Sequence, residues 1–185
     1  MAQVPTGSTF YIASAYGSAK TVTIVTNATE AVVTAVAHGF SNGDVVEMTS
    51  GWGRLNKRHF EIESVLTDSF VLSGEDTTNT TFYPVGTGIG SVRKATTFTQ
   101  ITSVMNPQSS GGDPKTVTYK FVESDVEYSI NDGFGATSYT MELDADALGS
   151  AGYTALKSLT QVQTDTCLKV VTRSGSRVYQ PCTVA

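Results

Sequence analysis

Glu142, Asp144 and Asp146 are the residues whose types and spacing come nearest to chemistry in this chain. Alternation along a strand would place three carboxylates on one face, the arrangement that general acid and base work draws on. That face is the wet one, however, and a solvated strand end leading into a helix, with acids near the helix N-terminus, explains the same pattern. No Gly-x-Ser-x-Gly elbow is present, and the thiols of Cys167 and Cys182 have no sequence neighbours that would mark a nucleophile. His38 and His59 lack a second ligand group at zinc spacing; they read as ordinary turn or surface histidines, and no metal or cofactor is expected. Gly86-x-Gly88-x-Gly90 has half the look of a phosphate loop, but it precedes a strand instead of opening a helix. Trp52 and Tyr83 are aromatics of the kind that line a sugar or peptide groove, yet anchoring of a core or loop is the reading preferred here. These residues do not add up to an enzyme.

Charge narrows the partners. The net charge is −5 with a pI near 4.9, and the few Lys and Arg are scattered, so the electrostatic footprint of direct nucleic-acid binding is missing. An acidic wall that repels DNA is compatible. No run of about 18 apolar residues suggests a membrane span, and the N-terminus lacks the regions of a signal peptide, so the expected compartment is a cytoplasm.

The elements that must position these residues are mostly strands. Hydrophobic residues make up 39% and charged ones 16% of a chain rich in Thr, Ser and Gly, a balance that favours strands and turns. An opening strand is expected over Thr9–Ala13, followed by a flexible stretch over residues 14–18. Short alternating segments from residue 21 to 94 then form a small all-β module, with a long loop from Gly74 to Gly90 and a last strand over Ser91–Lys94. A new strand begins at Thr96. The tract from Val104 to Lys115 is the most flexible in composition. Three amphipathic strands follow, carrying Val117, Tyr119 and Phe121, then Val126, Tyr128 and Ile130, then Tyr139, Met141 and Leu143, with turns at Ser124-Asp125 and from Asn131 to Gly135. Leu148, Gly152, Ala155, Leu156, Leu159 and Val162 make one helical stripe over about residues 151–161, with Ser150 as N-cap. A hairpin of residues 166–171 and 177–183 ends the chain. A two-residue turn at Ser174-Gly175 would set Cys167 opposite Cys182, as two reduced thiols packed across a strand pair.

Several stretches carry a family likeness. AHGFSNGDVVEMTSGWGRLNKRHFEIESVLTDSFVLSG is similar to a small β module found in many phage tail proteins. The following ATTFTQITSV, the SSGG loop with its YKF strand, and SYTMELDADALGSAGYTALKSLTQ together resemble the tail tube (major tail) proteins of long, flexible-tailed phages. The likeness implies a mainly β fold: a β-sandwich or barrel core with one flanking α-helix, built from residues 1–20 and 95–185, plus an inserted small all-β module over 21–94, displayed outward as decoration. It also implies a structural protein of the virion tail, assembled in the host cytoplasm, that forms hexameric rings stacked into a hollow conduit for DNA ejection. A tape measure protein and tail terminator and tip proteins would be its partners, and DNA would pass without specific binding. The resemblance also implies further strands beyond the final hairpin, so either a short member or one lacking its C-terminal part is expected.

Two sets of site residues follow. Exposed strand edges suit pairing between identical subunits, and the tract Asn106, Pro107, Gln108, Ser109, Ser110, Gly111, Gly112 and Asp113 would be a stacking arm with its glycines at the tip. Glu123, Asp125, Glu127 and Glu142 are candidates for an acidic lumen. The alternative is a tail-surface module that contacts host or glycan through Trp52 and Tyr83.

Overall fold

The computed structural model describes residues 6–185. In chain order the strands are β1 (Thr9–Tyr16), β2 (Lys20–Val22), β3 (Ile24–Val25), β4 (Val32–Thr34), β5 (Val45–Ser50), β6 (Arg58–Glu63), β7 (Ser69–Leu72), β8 (Gly90–Ile101), β9 (Val104–Gly111), β10 (Pro114–Tyr119), β11 (Tyr128–Phe134), β12 (Thr137–Leu143), β13 (Thr166–Val171) and β14 (Arg177–Cys182). Helix α1 (Ala151–Val162) lies between β12 and β13. The chain is therefore mainly β with one helix, as its composition implies. It divides into two compact units, one running to Thr102 and resuming at Leu148–Ala185, the other spanning Ser103–Ala147.

The first unit holds a sheet in the order β14-β13-β1-β8-β5-β6-β7-β4-β3, with β2 also paired to β8. Strand β8 organises it. Its first half pairs with β5 from Gly90 to Lys94, and its second half, from Ala95 to Ile101, pairs with β1. The sequence predicts one strand ending at Lys94 and another starting at Thr96; no turn former separates them, and the backbone runs through as one strand of 12 residues. β1 likewise continues to Tyr16, into the stretch over residues 14–18 expected to be flexible.

Two of the buried clusters in this unit bear on the site. Trp52, Phe60, Ile62, Phe70 and Leu72 anchor the larger one. The smaller joins Ala13 of β1, Val45 of β5, Ala95 of β8 and Cys167 of β13, so it draws residues from both sides of position 94/95. Helix α1 starts where its N-cap directs: the Ser150 hydroxyl accepts a hydrogen bond from the Tyr153 amide at 3.2 Å. It contacts β8 and β1. Gly152 permits that approach, since a Cβ there would stand 2.4 Å from the Gln100 carbonyl oxygen.

The last hairpin differs from expectation by one residue. The loop is Arg173-Ser174-Gly175, closed by Gly175 N–H to Thr172 O and Thr172 N–H to Ser176 O, both at 2.9 Å. Gly175 is left-handed at φ 88°, the mark of a three-residue turn with a bulge. Val171 therefore pairs with Arg177, Cys167 faces Pro181, and Cys182 faces Thr166. A slip of one residue turns the two sulfurs to opposite faces of the strand pair, and both cysteines are free.

The second unit is a two-stranded ribbon. β9 pairs with β12 from Val104↔Leu143 to Gly111↔Thr137, and β10 pairs with β11 from Pro114↔Phe134 to Tyr119↔Tyr128. A Gly135 amide to Asp113 carbonyl bond of 2.8 Å links the two ladders. At a rise of about 3.3 Å per residue the paired length from Val104 to Tyr119 is roughly 50 Å. The tract expected to be a flexible loop is thus mostly strand β9, and Asn131–Phe134, expected as a turn, belongs to β11. Opposite-strand pairing overrode the Gly, Ser and Pro content in both places.

Candidate assembly surfaces

The residues nearest to chemistry are structural. β12 ends at Leu143, so only Glu142 of the three acids lies in a strand. Asp144 follows it, accepts from the Asp146 amide at 3.1 Å, and caps the short helical turn Ala145–Ala147. The three carboxylates therefore share no strand face, and all are exposed. Trp52 and Tyr83 are buried and meet edge to face at 5.2 Å. The Trp52 indole donates to the Pro84 carbonyl at 2.8 Å and to Thr87 Oγ1 at 2.9 Å, and the Tyr83 hydroxyl donates to Glu75 at 2.9 Å. Together they pin the long Gly74–Gly90 loop, and Gly88 of the glycine triplet lies flat against the Trp52 ring. A glycan groove built on these two aromatics loses its residues.

The histidines are buried, not at the surface. His38 Nδ1 accepts from the Phe40 amide at 3.0 Å, and its ring packs on Phe40 and Phe70. His59 belongs to a cluster that the sequence reading missed. Across three strands, His59 of β6, Glu47 of β5 and Arg93 of β8 stand side by side in register. Glu47 is 1% exposed, bound by Arg93 Nε at 2.5 Å and approached by Lys57 Nζ at 3.8 Å. Buried charge of this kind persists only when paired. The Tyr16 hydroxyl meets His59 Nε2 at 2.9 Å, while His59 Nδ1 is buried without a partner. Burial holds the imidazole pKa down to about 4 and pushes the Tyr16 phenol up. The signal available in sequence was the near-continuous apolar run Val45, Val46 and Met48 around Glu47, the pattern of a central strand; in the structure Val45–Met48 are all buried.

Two surfaces lack strand partners among the described residues. β14 ends the sheet, with a strand on one side only. On β8, β5 reaches no further than Lys94, so Ala95–Ile101 has β1 alone. Strands β14, β13, β1 and the second half of β8 thus make a four-stranded sheet whose β8 side carries no further ladder, while its β14 side lies against β6. Glu61 of β6 steadies β14 through Arg177 at 2.6 Å and Tyr179 at 2.9 Å.

The ribbon is the other surface. Its expected stacking residues, Asn106 to Asp113, lie along β9 and the joint with β10, so Gly111 and Gly112 sit midway and not at a tip. The chain reverses between Phe121 and Val126 instead, where Ser124 N–H bonds Phe121 O at 3.1 Å. Glu123, Asp125 and Glu127 gather at that turn, while Glu142 pairs with Met105 at the opposite end, roughly 45 Å away along the ladder. The four acids do not form one group.

A family model described as phage tail tube protein, TTP, matches residues 50–185. Comparison with curated proteins returned no match.

Proposed function

The chain belongs to the phage tail tube protein family, and we propose that it builds the tube of a long, flexible-tailed phage as hexameric rings stacked into the conduit for DNA ejection. As a member of that family it is a structural component of the virion tail that assembles into a tube. The observation that carries the finer reading is the second half of β8, Ala95–Ile101, which pairs β1 on one side and has no ladder on the other. Contact of the free side of β8 with a different surface of the next copy is heterologous, and such contacts close into a ring when the rotation permits. The ribbon supplies the second direction of growth: a two-stranded sheet is marginal on its own, and stacking gives it a surface to lie against.

In this scheme residues 1–20 and 95–185 form the tube body and residues 21–94 an outward decoration, coupled to the body through the continuous strand β8. The subunits are made in the host cytoplasm, the tape measure protein occupies the lumen during assembly, and terminator and tip proteins close the ends. Of the acids proposed to face DNA, Glu142 keeps that assignment; Glu123, Asp125 and Glu127 are better placed to meet a neighbouring copy. Negative-stain microscopy tests the scheme. The native chain should give stacked rings, and a variant with residues 116–132 replaced by an Asn-Gly turn should give rings that do not stack. Deleting Gln108–Asp113 should act the same way. Normal long tubes from both variants would refute the ribbon's role, and a native protein that stays monomeric at high concentration would refute the ring.

A further inference from the structure

We propose that the buried Glu47 carboxylate is passed between two bases: Arg93 holds it while His59 is neutral, and a proton on His59 Nδ1 draws it away, so that acid releases Arg93 within the folded chain. Glu47 of β5 lies between the two, opposite His59 of β6 on one side and Arg93 of β8 on the other. At 1% exposure the carboxylate has no route to water and must keep a cationic partner. In the structure that partner is Arg93, whose Nε bonds it at 2.5 Å, with Lys57 Nζ further off at 3.8 Å. Asp165, at 3.5 Å, draws Lys57 the other way.

The imidazole is placed to take over. Tyr16 of β1 meets its Nε2 at 2.9 Å, while Nδ1 is buried with no hydrogen-bond partner among the described residues. Buried N–H groups without an acceptor are rare, so the neutral ring carries its proton on Nε2, donating to the Tyr16 oxygen, and Nδ1 is the basic site. The Tyr16 hydroxyl proton then goes to Thr166 of β13, whose own hydroxyl donates to the Ala13 carbonyl at 2.6 Å. The charged groups that face the ring are Glu47 from β5 and Arg93 from β8; Cys167 of β13, beyond Tyr16, is a thiol that burial pushes up to about 12. A proton on Nδ1 therefore meets one acceptor and one like charge. Glu47 is enclosed, but the Arg93 side chain is 36% exposed, its guanidinium lying 4.3 Å over the Tyr16 ring. Moving Arg93 into water removes the repulsion and leaves the carboxylate paired with the imidazolium. What is lost is a tie between β5 and β8 next to the point where β8 enters the four-stranded sheet; the Lys94–Asp44 pair at 2.8 Å stays.

Solution NMR of the native chain and of His59→Gln tests the exchange. At neutral pH the native ring should show its proton on Nε2 and none on Nδ1. With a ring pKa of about 4, the folded native chain should protonate His59 with its midpoint there. The Arg93 Nε–H resonance should move to the position of a free arginine along the same curve, half of the shift being complete at the ring's midpoint. In His59→Gln it should stay in place through that range. The Glu47 carboxyl carbon of the native chain should keep its ionised position throughout the step, a reading that needs no variant to fold. Four results would each overturn the proposal: a neutral ring protonated on Nδ1, an Arg93 signal that does not follow the ring, a Glu47 carboxyl that takes the proton itself, or the same Arg93 shift in His59→Gln. Global unfolding before the folded ring titrates would overturn it too.

Discussion

Acidification should destabilise the folded chain through His59 before most carboxylates contribute. In the native state the ring is 6% exposed, and burial holds its pKa at about 4 against an ordinary 6.5. Glu47 on β5 pulls the other way and Arg93 on β8 adds to the depression, but burial dominates. The unfolded chain takes up a proton near pH 6.5, and the folded chain does not until about pH 4. Stability is therefore full above pH 6.5 and falls through that window at about 1.4 kcal/mol per unit, a loss of about 3 kcal/mol by pH 4. Below that the two states titrate alike at this position and the term stays constant. Urea unfolding at low protein concentration, followed by the fluorescence of Trp52, the chain's single tryptophan, gives the stability at each pH. His59→Gln preserves a polar partner for the Tyr16 hydroxyl and does not titrate, so the difference between the two curves isolates the imidazole. The native chain should lose about 3 kcal/mol more than the variant between pH 6.5 and 4. Parallel curves would refute the reasoning, because they would mean that the ring is protonated or hydrated within the fold.

Gly152→Ala should lift α1 from the sheet, because the new methyl would meet the Gln100 carbonyl, and should lower stability by at least about 2 kcal/mol in thermal unfolding. Cys167, whose thiol burial pushes up to about 12, should resist alkylation at pH 8 until the protein unfolds, and intact mass without reductant should show no intramolecular disulfide. Trp52→Phe should cost about 3 kcal/mol through lost volume and the two indole hydrogen bonds, and should make the Gly74–Gly90 loop the first site of proteolysis. Excising residues 21–94 should not leave a folded tube body: it removes Val45 from the cluster with Ala13, Ala95 and Cys167, and Glu61 from Arg177 and Tyr179. A cooperative unfolding transition in the excised chain would show that the module is separable after all.

Legibility in the sequence followed the range of the interactions. The helix with its Ser150 cap, the alternation of β6 and the limits of β13 rest on neighbours a few residues apart, and those were readable. What was misread depends on partners far along the chain. Gly111, Gly112 and Pro107 suggest a loop until β12 is known to lie opposite them. Glu47 looks like an outward residue until β6 and β8 flank it and Arg93 supplies the counter-charge. The cysteine register failed for a local reason: Ser174-Gly175 serves two-residue and three-residue turns alike, and only the extra residue Arg173 decides which face Cys182 takes.

The buried cluster and the open surfaces make opposite demands, and the chain separates them in space. Glu47, Arg93, His59 and Tyr16 tie β5, β6 and β8 to β1 by polar contacts that tolerate no slip, because each misplaced member would leave a buried charge or donor unpaired. That fixes the path of β8 as it passes from the module into the four-stranded sheet, and so fixes where its free side points. The ribbon carries no such constraint. Its five half-exposed apolar side chains, Val117, Tyr119, Phe121, Tyr128 and Ile130, would contribute about 1 kcal/mol each on full burial, roughly 5 kcal/mol in all, which matters for a two-stranded sheet that is marginal on its own. In the proposed tube such a subunit would present a preset edge for ring closure and an arm that stacking would cover. Under that proposal growth along the tube would be coupled to ring formation, since only a completed ring would offer every arm its neighbour.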